Sequence, residues 1–253
     1  MSTFHTTGIV LRVSPSGEND RRASIYTHDF GKLEVFAKSA RRIQSKLSPH
    51  LEPLTLVDCF IARGQVDHLA GIERQDRFIG VRGSLEQLTS AWWAAELVDA
   101  LTRPDHPDPR IFRLLQIWIT MVETANGQIP EYFRLVFVIT LFDYLGYGLH
   151  SDGCVKCKKE NDLDWLFSAR DGGLVCRDCR AHAAPGGIVL APAARQALAS
   201  MTAKEFPIFD AAAFAALPEK IARLISDRLI AEHLDRPLAT DVFGQSIKTA
   251  ASS

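Results

Sequence analysis

Apolar and polar residues alternate with a short period over the first third of the chain. From Thr7 to about Phe78, five apolar runs are separated by turn residues such as SPSGEND and DFGK. This spacing predicts β-strands, because successive side chains of a strand point to opposite faces. Five short strands favour a small barrel, most often an OB-fold, although an SH3-like barrel fits the same pattern.

The period lengthens to that of helices after Gly83. Helical patterns cover residues 84–103, 109–125, 129–148, 191–201 and 217–234. The first begins at Ser84, a predicted N-cap, and the second at Pro109, since proline is favoured in the first turn of a helix. The short polar tail from 241 to 253 is expected to fray.

These patterns together predict an α+β multidomain protein. We expect a five-stranded OB-fold β-barrel at residues 1–82 and an α-helical domain at 83–253. An irregular polar segment at about 150–183 interrupts the helices and is expected to form an inserted zinc-binding element.

Four of the five cysteines define that insert. They form two C-x2-C pairs separated by eighteen residues, namely Cys154, Cys157, Cys176 and Cys179. This spacing is typical of one structural Zn²⁺ held by four thiolates, and the small polar insert would depend on the metal for its folding. A redox pair, a catalytic zinc, or a site in which His150 or His182 replaces a cysteine are the alternatives.

Residues around the cysteines support a metal-centred hairpin. Asp171, Gly172 and Gly173 predict a turn that brings the second pair beside the first. Five nearby cations are expected to offset thiolate charge: Lys156, Lys158, Lys159, Arg177 and Arg180. The fifth cysteine, Cys59, lies in an apolar run and is expected to be a buried free thiol.

Charge is unevenly distributed along the chain, although its net value is −1. Residues 1–46 carry eight cations and four acids, which gives +4 there and −5 on the remaining 207 residues. The eight are predicted to bind DNA: Arg12, Arg21, Arg22, Lys32, Lys38, Arg41, Arg42 and Lys46. Tyr26, Phe30 and Phe36 are predicted stacking platforms for bases, with core packing as the alternative for such aromatics.

Several classes of protein are disfavoured. The N-terminus has no signal-peptide pattern and no apolar run is long enough to span a membrane, so we expect a cytosolic protein. The sequence contains no G-x-S-x-G, H-E-x-x-H or Walker motif, so we expect no enzyme activity.

The sequence resembles the RecO recombination mediators of bacteria. The likeness rests on GIVLRVSPSGENDRRASIYTHDFGKLEVFAKSARR, LSPHLEPLTLVDCFIARG, LFDYLGYGLH leading into the first cysteine pair, CRDC and LDRPLATDVF. It implies an OB-fold, a helical domain and a zinc element. It also implies a cytoplasmic, nucleoid-associated protein that binds single- and double-stranded DNA and anneals complementary strands.

The resemblance further implies two protein partners. With RecR, such proteins help to load the recombinase onto DNA coated by single-strand-binding protein, whose acidic C-terminal tail they grip. The closing LATDVF is less basic than the ending typical of the family. A zinc-ribbon scaffold that binds RNA or protein, without a role in DNA repair, is the alternative function.

Overall fold

The N-terminal strands form a closed barrel. The computed structural model describes residues 2–125, 129–162, 164–202 and 217–243. The strands are β1 (Thr3–Ser16), β2 (Asp20–Thr27), β3 (Gly31–Ala37), β4 (Leu56–Ala62) and β5 (Asp67–Asp76). Their order around the barrel is β1-β2-β3-β5-β4, with only β3 and β5 parallel. This topology is that of an OB-fold, as the strand count predicts.

Alternating side chains fill the barrel. Val10, Ile25, Val35 and Val57 point inward and are fully buried, as every second residue of a strand must be when one face meets the core. Cys59 is buried among them, which confirms a core thiol. Burial, and then the charge of neighbouring Asp58, raises the pKa of Cys59 to about 12.

Two helices pack with the barrel in one compact unit, which comprises the described residues 2–125 and 237–243. They are α1 (Leu85–Leu101) and α2 (Pro109–Thr124). The Ser84 hydroxyl accepts a hydrogen bond from the backbone N–H of Gln87, which confirms the predicted N-cap. The indoles of Trp93 and Trp118 pack between the helices with ring centroids 5.6 Å apart.

The end of the chain belongs to the same unit. Glu96 on α1 accepts hydrogen bonds from the backbone N–H groups of Ala239 and Thr240, at 2.7 and 3.0 Å, and from the Thr240 hydroxyl. Residues 239–243 are helical, so the prediction of a frayed tail is wrong for residues 241–243. Its remainder, 244–253, lies outside the described residues.

The second compact unit comprises the described residues between 129 and 236. Its elements are α3 (Glu131–Tyr144), β6 (His150–Cys154), β7 (Trp165–Ser168), β8 (Gly173–Cys176), β9 (Ile188–Leu190), α4 (Pro192–Thr202) and α5 (Glu219–Ala231). The strands form one sheet in the order β6-β8-β7-β9, and α3 packs against α5. The barrel strands end at Asp76 and α1 begins at Leu85, whereas the compact units divide near residue 128. The domain boundary at 82 stays a prediction.

Candidate nucleic-acid interface and metal centre

Six of the predicted DNA-binding cations lie at one end of the barrel. We call Arg21, Arg22, Lys38, Arg41, Arg42 and Lys46 the basic rim. Arg21 and Arg22 begin β2, and the other four follow β3 in the loop to β4. The pairing of Arg21 with Ala37 brings the start of β2 beside the end of β3.

Hydrogen bonds between two loops fix this end of the barrel. The backbone N–H of Ser39 donates to the Asp20 carboxylate at 2.6 Å, and that of Arg41 donates to the Asn19 carbonyl at 2.8 Å. The Arg41 guanidinium donates to the Gly17 carbonyl at 3.0 Å. The β1–β2 turn and the β3–β4 loop therefore form one ordered surface.

The rim cations have few acidic neighbours. Within the described part of the chain, none of the six forms an ion pair with a carboxylate. The two loops and the start of β2 contribute three acids, Glu18, Asp20 and Glu52, and Glu52 forms an ion pair with Arg77 at 2.8 Å. Five of the six cations are exposed, and Arg21 is partly exposed. Unpaired, exposed cations on an ordered surface are suited to phosphate contacts.

Two of the eight predicted DNA-binding cations have other roles. Lys32 is buried at 9% exposure, and its Nζ donates to the Asp99 carbonyl at 2.6 Å. Arg12 forms ion pairs with Asp99 at 2.9 Å and Glu34 at 3.0 Å. These contacts join the barrel to α1 and leave both cations less available to phosphate, so we do not count them in the basic rim.

The predicted aromatic platforms also divide. Tyr26 is fully buried and its hydroxyl donates to the Asp108 carbonyl, so its ring cannot meet a base. Phe30 precedes β3, at the opposite end from the rim, and packs on Phe4 with centroids 4.2 Å apart. Phe36 remains, because it lies opposite Arg22 in the sheet and is only partly buried. Its ring meets that of His68 edge-on at 5.5 Å.

The four predicted metal ligands converge in the second unit. The sulfur atoms of Cys154, Cys157, Cys176 and Cys179 all lie within 4.8 Å of one another, and the Cys157–Cys176 pair is 3.6 Å apart. Tetrahedral zinc with Zn–S bonds of about 2.3 Å places its sulfurs about 3.8 Å apart. The donor set and its spacing therefore fit one closed zinc site, without His150 or His182.

Local backbone structure brings the two cysteine pairs together. β7 and β8 form the predicted hairpin, with Trp165 opposite Cys176. Gly172 adopts a φ of +78° in the connecting turn, which a glycine allows without strain. β6 pairs with β8. The first cysteine pair begins at the end of β6 and the second at the end of β8, so the two pairs lie side by side.

The pKa values of these thiols also favour the binding of a cation. Burial would raise the pKa of Cys154, but backbone N–H groups of Cys176, Cys157 and Lys156 lower it to about 6. Hydrogen bonds with Cys157 and then Cys176 raise the pKa of Cys179 to about 12. Four thiols this close cannot all ionise alone, whereas a bound dication would favour four thiolates.

Two of the lysines near this site form ion pairs with acids. Lys156 forms an ion pair with Asp171 at 2.9 Å, and Lys159 with Asp178 and Asp162 at 3.0 and 3.2 Å. The prediction that nearby cations offset thiolate charge stays a prediction, and these two lysines also have carboxylate partners. Backbone N–H groups hydrogen-bond to the Cys154 sulfur.

Two protein-family models match this chain, one over the barrel and one over the segment that contains the cysteine cluster. The family model "Recombination protein O N terminal" matches residues 1–76, and "Recombination protein O C terminal" matches residues 82–241.

The chain belongs to the RecO family.

Curated RecO relatives cover most of this chain. The DNA repair protein RecO of Rubrobacter xylanophilus is 32% identical over 91% of the chain and 92% of its own length. That of Anaeromyxobacter sp. is 31% identical over 94% and 93%, and that of Dehalococcoides mccartyi is 35% identical over 70% of each. The two RecO family models span both the barrel and the cysteine cluster.

One cation of this RecO chain escaped the sequence analysis. Arg74 on β5 is exposed and donates to the Pro49 carbonyl at 3.3 Å, so it lies against the same loop as the basic rim. Arg74 lies outside residues 1–46, the segment in which the sequence shows an excess of positive charge. Only the pairing of β5 with β4 brings it near the loop.

A cleft beside the barrel wall of this RecO chain is less suited to nucleic acid. It has a volume of about 420 Å³ and is lined by both signs of charge. Of its cations, Lys32 contacts Asp99 and Arg63 forms ion pairs with Asp67 and Asp105. The third lining cation, Arg22, belongs to the basic rim. The cleft therefore adds no unpaired cation to those of the rim.

None of the described helices is long and apolar enough to cross a membrane.

Proposed function

We propose that this chain is a DNA-binding recombination mediator in DNA repair, acting without catalysis. The observation that carries the proposal is the basic rim, where six cations line one end of an OB-fold and form no ion pair with any described carboxylate. Loops of OB-folds commonly bind single strands. The chain's relatives are named DNA repair proteins.

The rim would bind DNA through its phosphates. Lysine and arginine neutralise backbone charge and release counterions, which gives affinity without sequence preference. Phe36, beside Arg22, offers a ring on which a base can stack. Both single and double strands carry the phosphates that these cations recognise.

Annealing follows from the same electrostatics. Two complementary strands repel each other through their phosphates, and a cationic surface that holds both reduces this repulsion. The exposed loop cations Lys38, Arg42 and Lys46 would contact the strands. Annealing should therefore weaken steeply as salt rises.

The proposed partners and cellular location are those that membership of the RecO family implies. We place RecR and the acidic C-terminal tail of single-strand-binding protein among the partners, with loading of recombinase onto coated DNA as the outcome. Work on chromosomal DNA would take place in the bacterial cytoplasm at the nucleoid.

The metal would have a structural role. One Zn²⁺ bound by the four cysteines would join β6 and its following turn to the β7–β8 hairpin. When bound, zinc supplies four strong bonds to thiolates and no open position for a substrate.

A fourfold substitution tests the interface. Replacing Lys38, Arg41, Arg42 and Lys46 with Ala should lower affinity for a fluorescent single-stranded oligonucleotide, measured by anisotropy over a salt series. If each cation contacts one phosphate, the slope of log affinity against log salt should shrink by about 3. A matched control changes four exposed cations elsewhere, Arg103, Arg113, Lys220 and Arg236, by the same total charge.

Unchanged binding by the fourfold variant would remove the rim as the interface. Equal losses in both variants would mean that net charge, rather than this surface, drives binding. Annealing of strands coated by single-strand-binding protein separates the mediator from a scaffold, which should give no rate enhancement.

A further inference from the structure

The loop that carries most of the basic rim also carries an exposed isoleucine. Ile43 follows Arg41 and Arg42 and precedes Lys46. Among the exposed large apolar residues of the described chain it has the greatest exposure, with its side chain fully in solvent. A single exposed apolar residue is ordinary by itself, so its surroundings decide whether it matters.

The loop is anchored on both sides of Ile43. Ala40 is fully buried in the barrel core, and Leu47 packs against that core. The backbone N–H of Arg42 donates to the Ser39 carbonyl at 3.1 Å, and that of Ser45 donates to the Arg42 carbonyl at 3.0 Å. The two flanking apolar residues thus fix the loop, and successive turns hold Ile43 at its centre.

We infer that Ile43 is an apolar wedge that contacts the bases of a nucleic-acid strand held by the basic rim. The inference rests on the proposed function and adds a residue that meets bases rather than phosphates. The cations on either side of Ile43 favour a polyanion as the ligand over an apolar protein surface. β-branching limits the side chain to few rotamers, so little freedom is lost when it inserts.

The chemistry of such a contact is independent of sequence. Apolar side chains, isoleucine included, insert between stacked bases in several DNA-binding proteins and separate them. Every base has an apolar face, and isoleucine forms no hydrogen bond that would select one base. The wedge would therefore unstack bases locally while Arg41, Arg42 and Lys46 hold the phosphates.

Three variants of the full-length protein test the wedge. Ile43→Ser removes the apolar side chain, Ile43→Leu keeps it, and Ile79→Ser is the control at another exposed isoleucine, 71% exposed, outside the rim. The probe is a single-stranded oligonucleotide with 2-aminopurine at internal positions, since its fluorescence rises when the base unstacks. Affinity is read in parallel from anisotropy over a salt series.

Ile43→Ser should bind about tenfold more weakly, a loss typical of removing one base contact. It should also lose the rise in 2-aminopurine fluorescence but keep the wild-type salt slope, because no charge changes. Ile43→Leu and Ile79→Ser should resemble the wild type in both measurements.

A wild-type-like Ile43→Ser, beside an impaired fourfold rim variant, would overturn the wedge and leave the interface in place. Wild-type-like binding by the fourfold variant would instead overturn the interface. If Ile43→Ser changes only self-association, measured by sedimentation, the residue contacts a second copy of the chain and the base contact is wrong.

Discussion

The basic rim and the candidate metal-binding element, residues 150–183, both have closely spaced lysines and arginines, but these side chains have different partners in the two regions. In the metal-binding element, Lys156 and Lys159 are each held by carboxylates at about 3 Å. On the rim, no ion pair to a carboxylate is found among the described residues. Cation density in a sequence therefore does not identify a binding surface, because availability depends on where the acids fold.

The two regions also differ in what stabilises them. The barrel has a core of alternating apolar side chains, so its rim cations need not contribute to folding. The metal-binding element has short strands, and its turns are joined by thiols and ion pairs. Its strands also bury apolar side chains, among them Trp165, Phe167 and Leu174, and a bound metal would add to this burial by holding the turns together.

Loss of a metal ligand should have the largest effect. Cys176→Ser removes a buried sulfur from the cluster. Because structural zinc supplies about 10 kcal/mol or more of folding free energy, we expect loss of the metal and of protease resistance in the element. Elemental analysis should give one zinc per wild-type chain and less than a tenth in the variant.

Cys59→Ala is the matched control, since that thiol lies in the barrel core. It should retain full zinc. A Cys176→Ser protein that keeps one zinc per chain would contradict the four-thiolate site.

The second-largest effect is expected from removing Asp99, the acid that forms ion pairs with two barrel cations. Asp99 accepts hydrogen bonds from Ser24 at 2.6 Å and Arg12 at 2.9 Å, and it lies 3.6 Å from the Lys32 ammonium. Asp99→Ala leaves the buried Lys32 charge uncompensated, so we expect a loss of about 3 kcal/mol in the free energy of unfolding. Urea denaturation measures it.

Glu34→Ala offers the comparison, because it removes only a half-exposed ion pair with Arg12. Its effect should stay below about 1 kcal/mol. Equal losses in the two variants would mean that Asp99 and Lys32 form no special contact, and Lys32 would return to the set of available cations.

The smallest effect is expected at Asp171, as a dependence on pH. Burial would raise its pKa, but hydrogen bonds from the Ala184 N–H, Lys156 and Ser168 lower it to about 2. A carboxylate with a lowered pKa in the folded state stabilises the protein above its unfolded pKa of about 4, and this stabilisation disappears as pH falls towards 2.

Asp171→Asn should therefore destabilise the protein by about 1 kcal/mol near neutral pH, and the difference from wild type should shrink between pH 4 and 2. Thermal melts at several pH values measure this difference. A constant difference across the range would show that the charge of Asp171 does not matter. Lys158→Ala, at an exposed lysine without a carboxylate partner among the described residues, should change little.

Much of the fold and the identity of the four cysteines could be predicted from the chain alone, whereas the distances between their sulfur atoms could not. The five strands, the Ser84 cap and the Pro109 helix start depend on neighbours a few residues apart, so periodicity reveals them. The DNA-binding residues stay a prediction, although the fold brings six of the eight cations to one rim. That prediction could not include Arg74, which reaches the loop only through strand pairing.

The strand and helix periods, the two cysteine pairs and the surplus of positive charge near the N-terminus are local patterns, so the chain alone specifies them. Which cations and aromatic rings are exposed and unpaired depends on tertiary packing. Arg12 and Lys32 meet Asp99 at separations of 87 and 67 residues, and Tyr26 meets Asp108 at 82. Contacts at such separations exist only after the helices pack on the barrel, and they convert predicted ligands of DNA into parts of the protein's own structure.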